Sequence, residues 1–307
     1  MTTPPADDGR TFDLLAYGDP NVDYLFEAAV IPGPDQKVLG RNLGIFAGGT
    51  VANVACAASR LGANVASYGR VGSDAGGKVL RRDYDLFGVS SQYVKTVDYP
   101  SAAAMIMIDA SGEKALIYAP MPADPLDEAR FAEAARRSRL VYAMPYDLEE
   151  FRRVAAIAHD NGADVAIDIE AAVAPDTKRL DALLSLSDIV FMNEGGFRAT
   201  QTGDISEVTV RPLVERGPRM VVVTMAEKGA LAVTRDKAWR QAAFPARLVD
   251  ATGAGDCFNG AFLAATLAGR SVADSLAFAC AAASLAVSAV GARGGMPDRS
   301  VVEAMLG

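Results

Sequence analysis

The chain has 307 residues, 50% hydrophobic and 22% charged, enough apolar material for a large core and too much for a disordered chain. Thirty Lys and Arg against 38 Asp and Glu leave a net charge of −8, the wrong sign for a surface that grips nucleic acid or an anionic membrane. One histidine, and three cysteines with no C-x-x-C pair, argue against a zinc site, a disulfide framework and a Ser–His–Asp triad.

The first ten residues, MTTPPADDGR, read as a flexible polar tail and lack the apolar stretch of a secretory signal. No window approaches the roughly 18 consecutive apolar residues of a membrane span. The expectation is a soluble protein of a reducing cytoplasm. Phe12–Tyr17 reads as a buried strand, followed by extended segments at Val22–Val30 and Lys37–Phe46. Helical and strand patterns then alternate: helix Val51–Leu61, strand Val65–Gly69, helix Gly77–Phe87. Ala103–Asp109 and Lys114–Ala119 flank Ser111-Gly112 and predict a hairpin. The alternation resumes with helix Pro125–Ser138, strand Leu140–Ala143, helix Leu148–Asn161 and strand Val165–Ile169. Helix Thr177–Leu186, strand Ile189–Met192, helix Val208–Arg216 and strand Met220–Thr224 follow, and helices Ala254–Leu267, Ser271–Val290 and Pro297–Leu306 close the chain. The pattern predicts an α/β fold, a mostly parallel sheet flanked by helices. The extended segments, within about residues 20–47 and 98–122, predict a small β-sheet lid beyond the carboxyl ends of the main strands, where ligands sit in such sheets. The lone His159 lies near the end of a helix and reads as solvent-facing.

Three segments carry residues suited to chemistry. Asp250-Ala251-Thr252-Gly253-Ala254-Gly255-Asp256 runs straight into a helical pattern. Its small residues let a ligand approach the backbone, and the first N–H groups of the helix make an anion site. Asp256 beside that site suits removal of a hydroxyl proton during phosphoryl transfer; the same spacing also serves an ordinary capped turn. Gly48-Gly49-Thr50-Val51-Ala52-Asn53 places an amide near two glycines at another helix start, suited to a sugar hydroxyl or to helix–sheet packing. Asn21 and Asp23, after the first strand, alternate onto one face of an extended chain, suited to one shared ligand or to an Asx-type turn. A dinucleotide G-x-G-x-x-G and a P-loop are both missing.

Taken together and in this order, the segments resemble the PfkB/ribokinase family of carbohydrate kinases. Gly48-Gly49-x-x-x-Asn53, Arg60-Leu61-Gly62 and Gly69–Gly77 look like its first signature, and Asp250–Gly260 like its second. The resemblance implies one ribokinase-like domain over residues 1–307, ATP-dependent phosphorylation of a sugar-like hydroxyl, and Mg²⁺ as cofactor. It implies Asp256 as general base, with Gly253, Ala254 and Gly255 as the anion hole. Asn21, Asp23, Gly48, Gly49 and Asn53 would hold the sugar. Asn193, Thr224 and Gly229 would meet the nucleotide, and Asp250 and Thr252 a monovalent cation such as K⁺. Two positions depart from the family. Gly196 stands where a Mg²⁺-linked Glu is expected, leaving Glu194 or water to fill that place, and Ala226 replaces a Gly of the nucleotide loop. A binding or regulatory protein on the same fold, without catalysis, is the alternative. Lys37, Arg41 and Lys114 in the lid segments read as solvated charges, which favours a neutral or singly acidic sugar. The apolar run Ala104–Ile108 predicts a homodimer formed through the lid.

Overall fold

The computed structural model describes residues 9–307. The expected flexible tail therefore lies mostly outside the described residues, and Arg10 at its end is pinned, donating from Nη1 to the carbonyl of Ser138 at 2.7 Å. The chain opens with strand β1 (Phe12–Tyr17), β2 (Asn21–Ala28) and β3 (Gly40–Gly48), then helix α1 (Thr50–Arg60), β4 (Val65–Gly72), α2 (Ala75–Phe87) and β5 (Ser90–Val97). A hairpin follows, β6 (Ala102–Ile108) and β7 (Lys114–Ala119), and then α3 (Glu128–Arg136), β8 (Ser138–Ala143), α4 (Leu148–Asp160), β9 (Asp164–Ile169) and α5 (Thr177–Ser185). Next come β10 (Ile189–Asn193), α6 (Glu194–Thr200), α7 (Glu207–Val214), β11 (Met220–Thr224), β12 (Ala230–Thr234) and β13 (Ala238–Gln241). Three helices close the chain: α8 (Ala254–Leu267), α9 (Val272–Ala286) and α10 (Arg299–Leu306).

Among the described residues, nine strands form the main sheet in the order β13-β12-β11-β10-β9-β8-β1-β4-β5. Strands from β11 through to β5 are parallel to their neighbours, whereas β12 and β13 run antiparallel at one edge. Alternation along β1 splits the core: Leu14 and Ala16 face α1, α2, α8, α9 and α10, while Leu15 faces α3, α4, α5 and α7. Burial on both faces is why these strands read as apolar runs. After β1 the chain has β4 on one side and β8 on the other, so the carboxyl end of β1 is a topological switch point, where a crevice opens.

The second sheet has the order β3-β2-β6-β7, with β2 and β6 parallel. It is the lid. Its hairpin turn is closed by Asp109, whose Oδ1 accepts from the amides of Ser111 and Glu113, with Gly112 at φ 86°. The left-handed region favours glycine there.

Several elements differ from expectation. Strand β5 buries only Tyr93 and Val94, so an edge strand carried too little apolar signal to be recognised. The β12–β13 pair is an antiparallel addition that the strand–helix rhythm did not foresee, and α6 is a seven-residue helix containing two glycines. The Pro125–Ser138 pattern starts at Glu128, where the Asp127 side chain caps by accepting from the Arg130 amide, and Ser138 already belongs to β8. The Ser271–Val290 pattern stops at Ala286. His159 is half-exposed on α4 and meets Asp188, 2.9 Å away, just before β10 and so at the amino ends of the strands. All three cysteines are buried free thiols. Among the described residues no helix is long and apolar enough to cross a membrane.

Candidate active site

Helices α1 and α8 build the centre of the site by close approach. A Cβ at Gly260 would lie 2.6 Å from the carbonyl of Val54 and 2.8 Å from the Cβ of Ala57, so only glycine lets the two helices pack this tightly. The packing brings Asn53, in the first turn of α1, onto Asp256, in the first turn of α8. Asn53 Nδ2 donates to Asp256 Oδ2 at 2.7 Å. Burial raises the Asp256 carboxyl to about 7; the charges of Glu170 and Asp23 push the same way, and Asn53 and Arg293 oppose them. A carboxyl poised near neutrality is suited to proton transfer at physiological pH.

Gly253 precedes α8 at φ 76°, and a Cβ there would lie 2.6 Å from the carbonyl of Ala292. This left-handed turn leads straight into the first N–H groups of α8. Ala254 N–H is engaged with the Ala251 carbonyl at 3.2 Å. The N–H groups of Gly253, Gly255 and Asp256 have no acceptor among the described residues, which leaves them free to meet an anion. A Cβ at Gly255 would meet nothing within 4 Å, so that glycine faces the open space a ligand needs.

Across the cleft, the lid presents Asn21 and Asp23 on one face of β2, as their alternation predicts. Asn21 Nδ2 donates to Asp23 Oδ1 at 2.5 Å. Burial raises the Asp23 carboxyl, against the pull of Asn21 and Arg293. Gly48 leaves room for the Asp23 carboxylate where it stands: a Cβ would sit 2.2 Å from Asp23 Oδ2 and push that side chain aside. Gly49 has φ 98° and abuts the Asn21 backbone. Thus Asn21, Asp23, Gly48, Gly49, Asn53 and Asp256 are brought to one cleft at the carboxyl end of β1.

Asn193, Thr224 and Gly229 lie at the adjacent carboxyl ends of β10 and β11. Asn193 caps α6, its Oδ1 accepting from Gly196 N–H at 2.7 Å. Thr224 Oγ1 donates weakly to the Met192 carbonyl at 3.4 Å. A Cβ on Gly229 would lie 1.9 Å from the Gln241 carbonyl, so packing against β13 accounts for that glycine whatever it meets in a ligand. Ala226 holds φ 48°, which explains why a glycine is expected there.

The acids near this end are rearranged relative to expectation. A side chain on Gly196 would strike the Ile169 carbonyl at 1.9 Å, so no Glu fits. Glu194 turns to Arg198 at 2.9 Å and Lys228 at 4.0 Å. The sequence reading missed Asp168 and Glu170, at the end of β9. Asp168 Oδ2 accepts from Asn259 Nδ2 at 2.8 Å, but its buried Oδ1 has no partner. Burial first, then Glu170 and Asp256, raise Asp168 to about 7; burial also raises Glu170. Their signal was Asp-x-Glu at the carboxyl end of a buried strand. No group of three potential metal-ligating side chains occurs among the described residues. Mg²⁺ on a nucleotide needs only one or two protein carboxylates, and an orphaned buried carboxylate oxygen beside a second acid fits that need.

The monovalent-cation expectation fares differently. Asp250 and Thr252 do converge, Thr252 Oγ1 donating to Asp250 Oδ1 at 2.7 Å. Lys114, from the lid hairpin, reaches both: its Nζ lies 3.1 Å from Asp250 Oδ1 and 2.6 Å from Thr252 Oγ1. Lys114 is therefore not a free solvated charge, and an ammonium already takes the acceptors assigned to K⁺. Bonds from Thr252, Gly291 and Lys114 overcome burial and hold the Asp250 carboxyl at about 2. These residues do not fit K⁺ as arranged.

Residues 12–299 match the family model of the pfkB family carbohydrate kinases. The chain is 30% identical over 298 residues to a ribokinase of Haemophilus influenzae, covering 93% of this chain and 95% of that one. It is 27% identical to a ribokinase of Bacillus subtilis, over 96% of this chain and 99% of that one. Its fold is similar to that of Arabidopsis thaliana ribokinase complexed with ribose and ATP, with a TM-score of 0.86, 29% identity, and coverage of 96% and 99% of the two chains. With the fold, the lid and the matched length in agreement, the chain belongs to the pfkB family of carbohydrate kinases, phosphotransferases acting on sugar hydroxyls.

Proposed function

We propose that the protein transfers the γ-phosphoryl group of ATP to a hydroxyl of ribose or a similar sugar, with Asp256 as general base. The observation that carries this reading is Asp256 itself, bonded to Asn53, raised to about 7 by burial with Glu170 and Asp23 adding to it, and placed in a turn with unpartnered N–H groups. The sugar lies between the lid and Asn53. Asp23 and Asn21 accept and donate to neighbouring hydroxyls. Asp256 takes the proton of the acceptor hydroxyl, the freed oxygen bonds to the γ-phosphorus, and the bond to the β-phosphate oxygen breaks to release ADP. The N–H groups of Gly253, Ala254, Gly255 and Asp256 stabilise the charge on the transferring group, Ala254 by giving up its long bond to Ala251. The Asn193, Thr224 and Gly229 end of the sheet receives the nucleotide. Mg²⁺ arriving with ATP would neutralise phosphate charge, and Glu170 and Asp168 are the residues that would hold it. Lys114 supplies a fixed positive charge in place of K⁺.

The lid cations support a neutral acceptor: Arg41 is paired with Glu27 at 2.7 Å and Lys114 with Asp250. The reading is tested by following ADP release with ribose, deoxyribose, fructose, sugar phosphates and nucleosides. Release dependent on a neutral sugar and lost in Asp256→Asn supports it; silence across the panel overturns it.

The outer lid face supports homodimerisation. Ile45, Tyr24, Met105 and Ile117 stand side by side across the four strands, all more than a third exposed. Such a row is suited to meet its own copy about a two-fold axis. Ile117→Lys should halve the mass measured by light scattering; a wild-type monomer contradicts the pairing.

A further inference from the structure

Arg293 lies in the segment between α9 and α10, and its side chain is only 6% exposed. A guanidinium buried this deeply calls for a reason, because a buried ion pair is a weak source of stability. Its hydrogen bonds supply one. Nε donates to Asn53 Oδ1 at 2.8 Å, Nη2 donates to the Gly48 carbonyl at 2.9 Å, and Nη1 pairs with Asp83 on α2. Asn53 in turn donates to Asp256. One chain of bonds thus links Asp83, Arg293, Asn53 and Asp256, and it crosses α2, the C-terminal segment, α1 and α8.

The amide of Asn53 has one accepting end and one donating end. Arginine has donors only, so the group facing it must be Oδ1. Nδ2 is then forced toward Asp256. In the flipped amide, N–H would face the guanidinium and oxygen would face the carboxylate, and both contacts would be repulsive. One N–H of Nδ2 is spent on Asp256; the other has no acceptor among the described residues and is available to an oxygen of the ligand. Arg293 also carries the Gly48 carbonyl, so it holds the glycine that makes room for Asp23.

We propose that Arg293 is a positioning residue for phosphoryl transfer: by locking Asn53 as a donor, it orients both the base Asp256 and the acceptor hydroxyl, with Asp83 as its counter-ion. This inference rests on the kinase reading for its consequence, but not for its geometry.

Two variants test it. Arg293→Lys keeps the charge beside Asp83, but a compact ammonium cannot serve Asn53, Gly48 and Asp83 as a fork does. The pair Asp83→Leu with Arg293→Met removes both charges together and avoids a lone buried ion. The side-chain amide of Asn53, assigned with Asn53→Ala, is followed by ¹⁵N NMR in the unliganded protein, and kcat and KM are measured with the best sugar. The expected result is a displaced, rapidly exchanging Asn53 amide in both variants. With it should come a tenfold to hundredfold loss of kcat and a KM for ATP within twofold of wild type. An unmoved Asn53 amide in folded Arg293→Lys, or a kcat within twofold of wild type, overturns the inference. A wild type silent with every sugar counts against the kinase reading instead, and the amide spectrum still decides the present one.

Discussion

Replacing Asp256 with Asn should cripple the enzyme and at the same time stabilise the fold. The structure holds this carboxyl at about 7 against an ordinary 3.8. Between those values the folded state binds a proton that the unfolded state has released, so stability falls as pH rises from about 4 to about 7 and stays low above it. Three pKa units correspond to an upper bound of roughly 4 kcal/mol. Asparagine removes that burden and keeps one acceptor for Asn53, so a gain of about 1–3 kcal/mol is expected at pH 8, or about 2–6 °C in Tm. The gain should shrink toward pH 5, where wild-type Asp256 is protonated. Turnover should fall by about 10²–10⁴, the usual worth of a general base. In the wild type, kcat/KM should rise with pH along a limb near 7, because only the ionised carboxylate accepts the hydroxyl proton. Calorimetry from pH 5 to 8, paired with an ADP-release assay, reads both effects. A variant with kcat within threefold of wild type, or one less stable than wild type at pH 8, refutes the reasoning.

Other perturbations probe single features. Gly48→Ala places a methyl group within 2.2 Å of Asp23 Oδ2; sugar KM should rise at least tenfold while ATP binding, read by titration calorimetry, stays near wild type. Ala226→Gly relieves a left-handed alanine at φ 48° that costs about 1–2 kcal/mol; set against the chain entropy of glycine, a net gain of up to about 1 kcal/mol in denaturant unfolding is expected. Exchanging Na⁺ for K⁺ should change wild-type kcat less than twofold, because Lys114 holds the acceptors of Asp250 and Thr252. Lys114→Ala should lower kcat and make it respond to K⁺; an unchanged kcat in that variant contradicts the substitution of a lysine for the ion.

Much of this architecture was legible because burial on both faces writes apolar runs into parallel strands. β1, β11 and α8 begin and end where the pattern placed them. The two glycine-led helix starts were legible for a related reason, since small residues mark where the chain turns sharply or packs closely. What escaped was whatever depends on neighbours distant in sequence. Edge strand β5 buries too little to show a period. Asp168 and Glu170 look like any strand end until α8 brings Asp256 beside them. Lys114 looks like a solvated lysine until the hairpin carries it 136 residues away to Asp250. Arg293 lies 240 residues from Asn53, and no local pattern announces that contact. Gly196 was legible, but its steric reason, the Ile169 carbonyl against the α6 backbone, and the turn of Glu194 toward Arg198 and Lys228 are visible only in three dimensions.

The most direct test of the account is the product itself. Wild-type protein, Mg·ATP and ribose are incubated together, and ADP and sugar phosphate are quantified side by side by mass spectrometry, with deoxyribose and other neutral sugars in parallel. One sugar phosphate is expected for each ADP released, at a rate far above hydrolysis without sugar and abolished by Asp256→Asn. ATP and sugar that both bind while neither product appears would contradict it, and would leave a binding protein on a kinase fold.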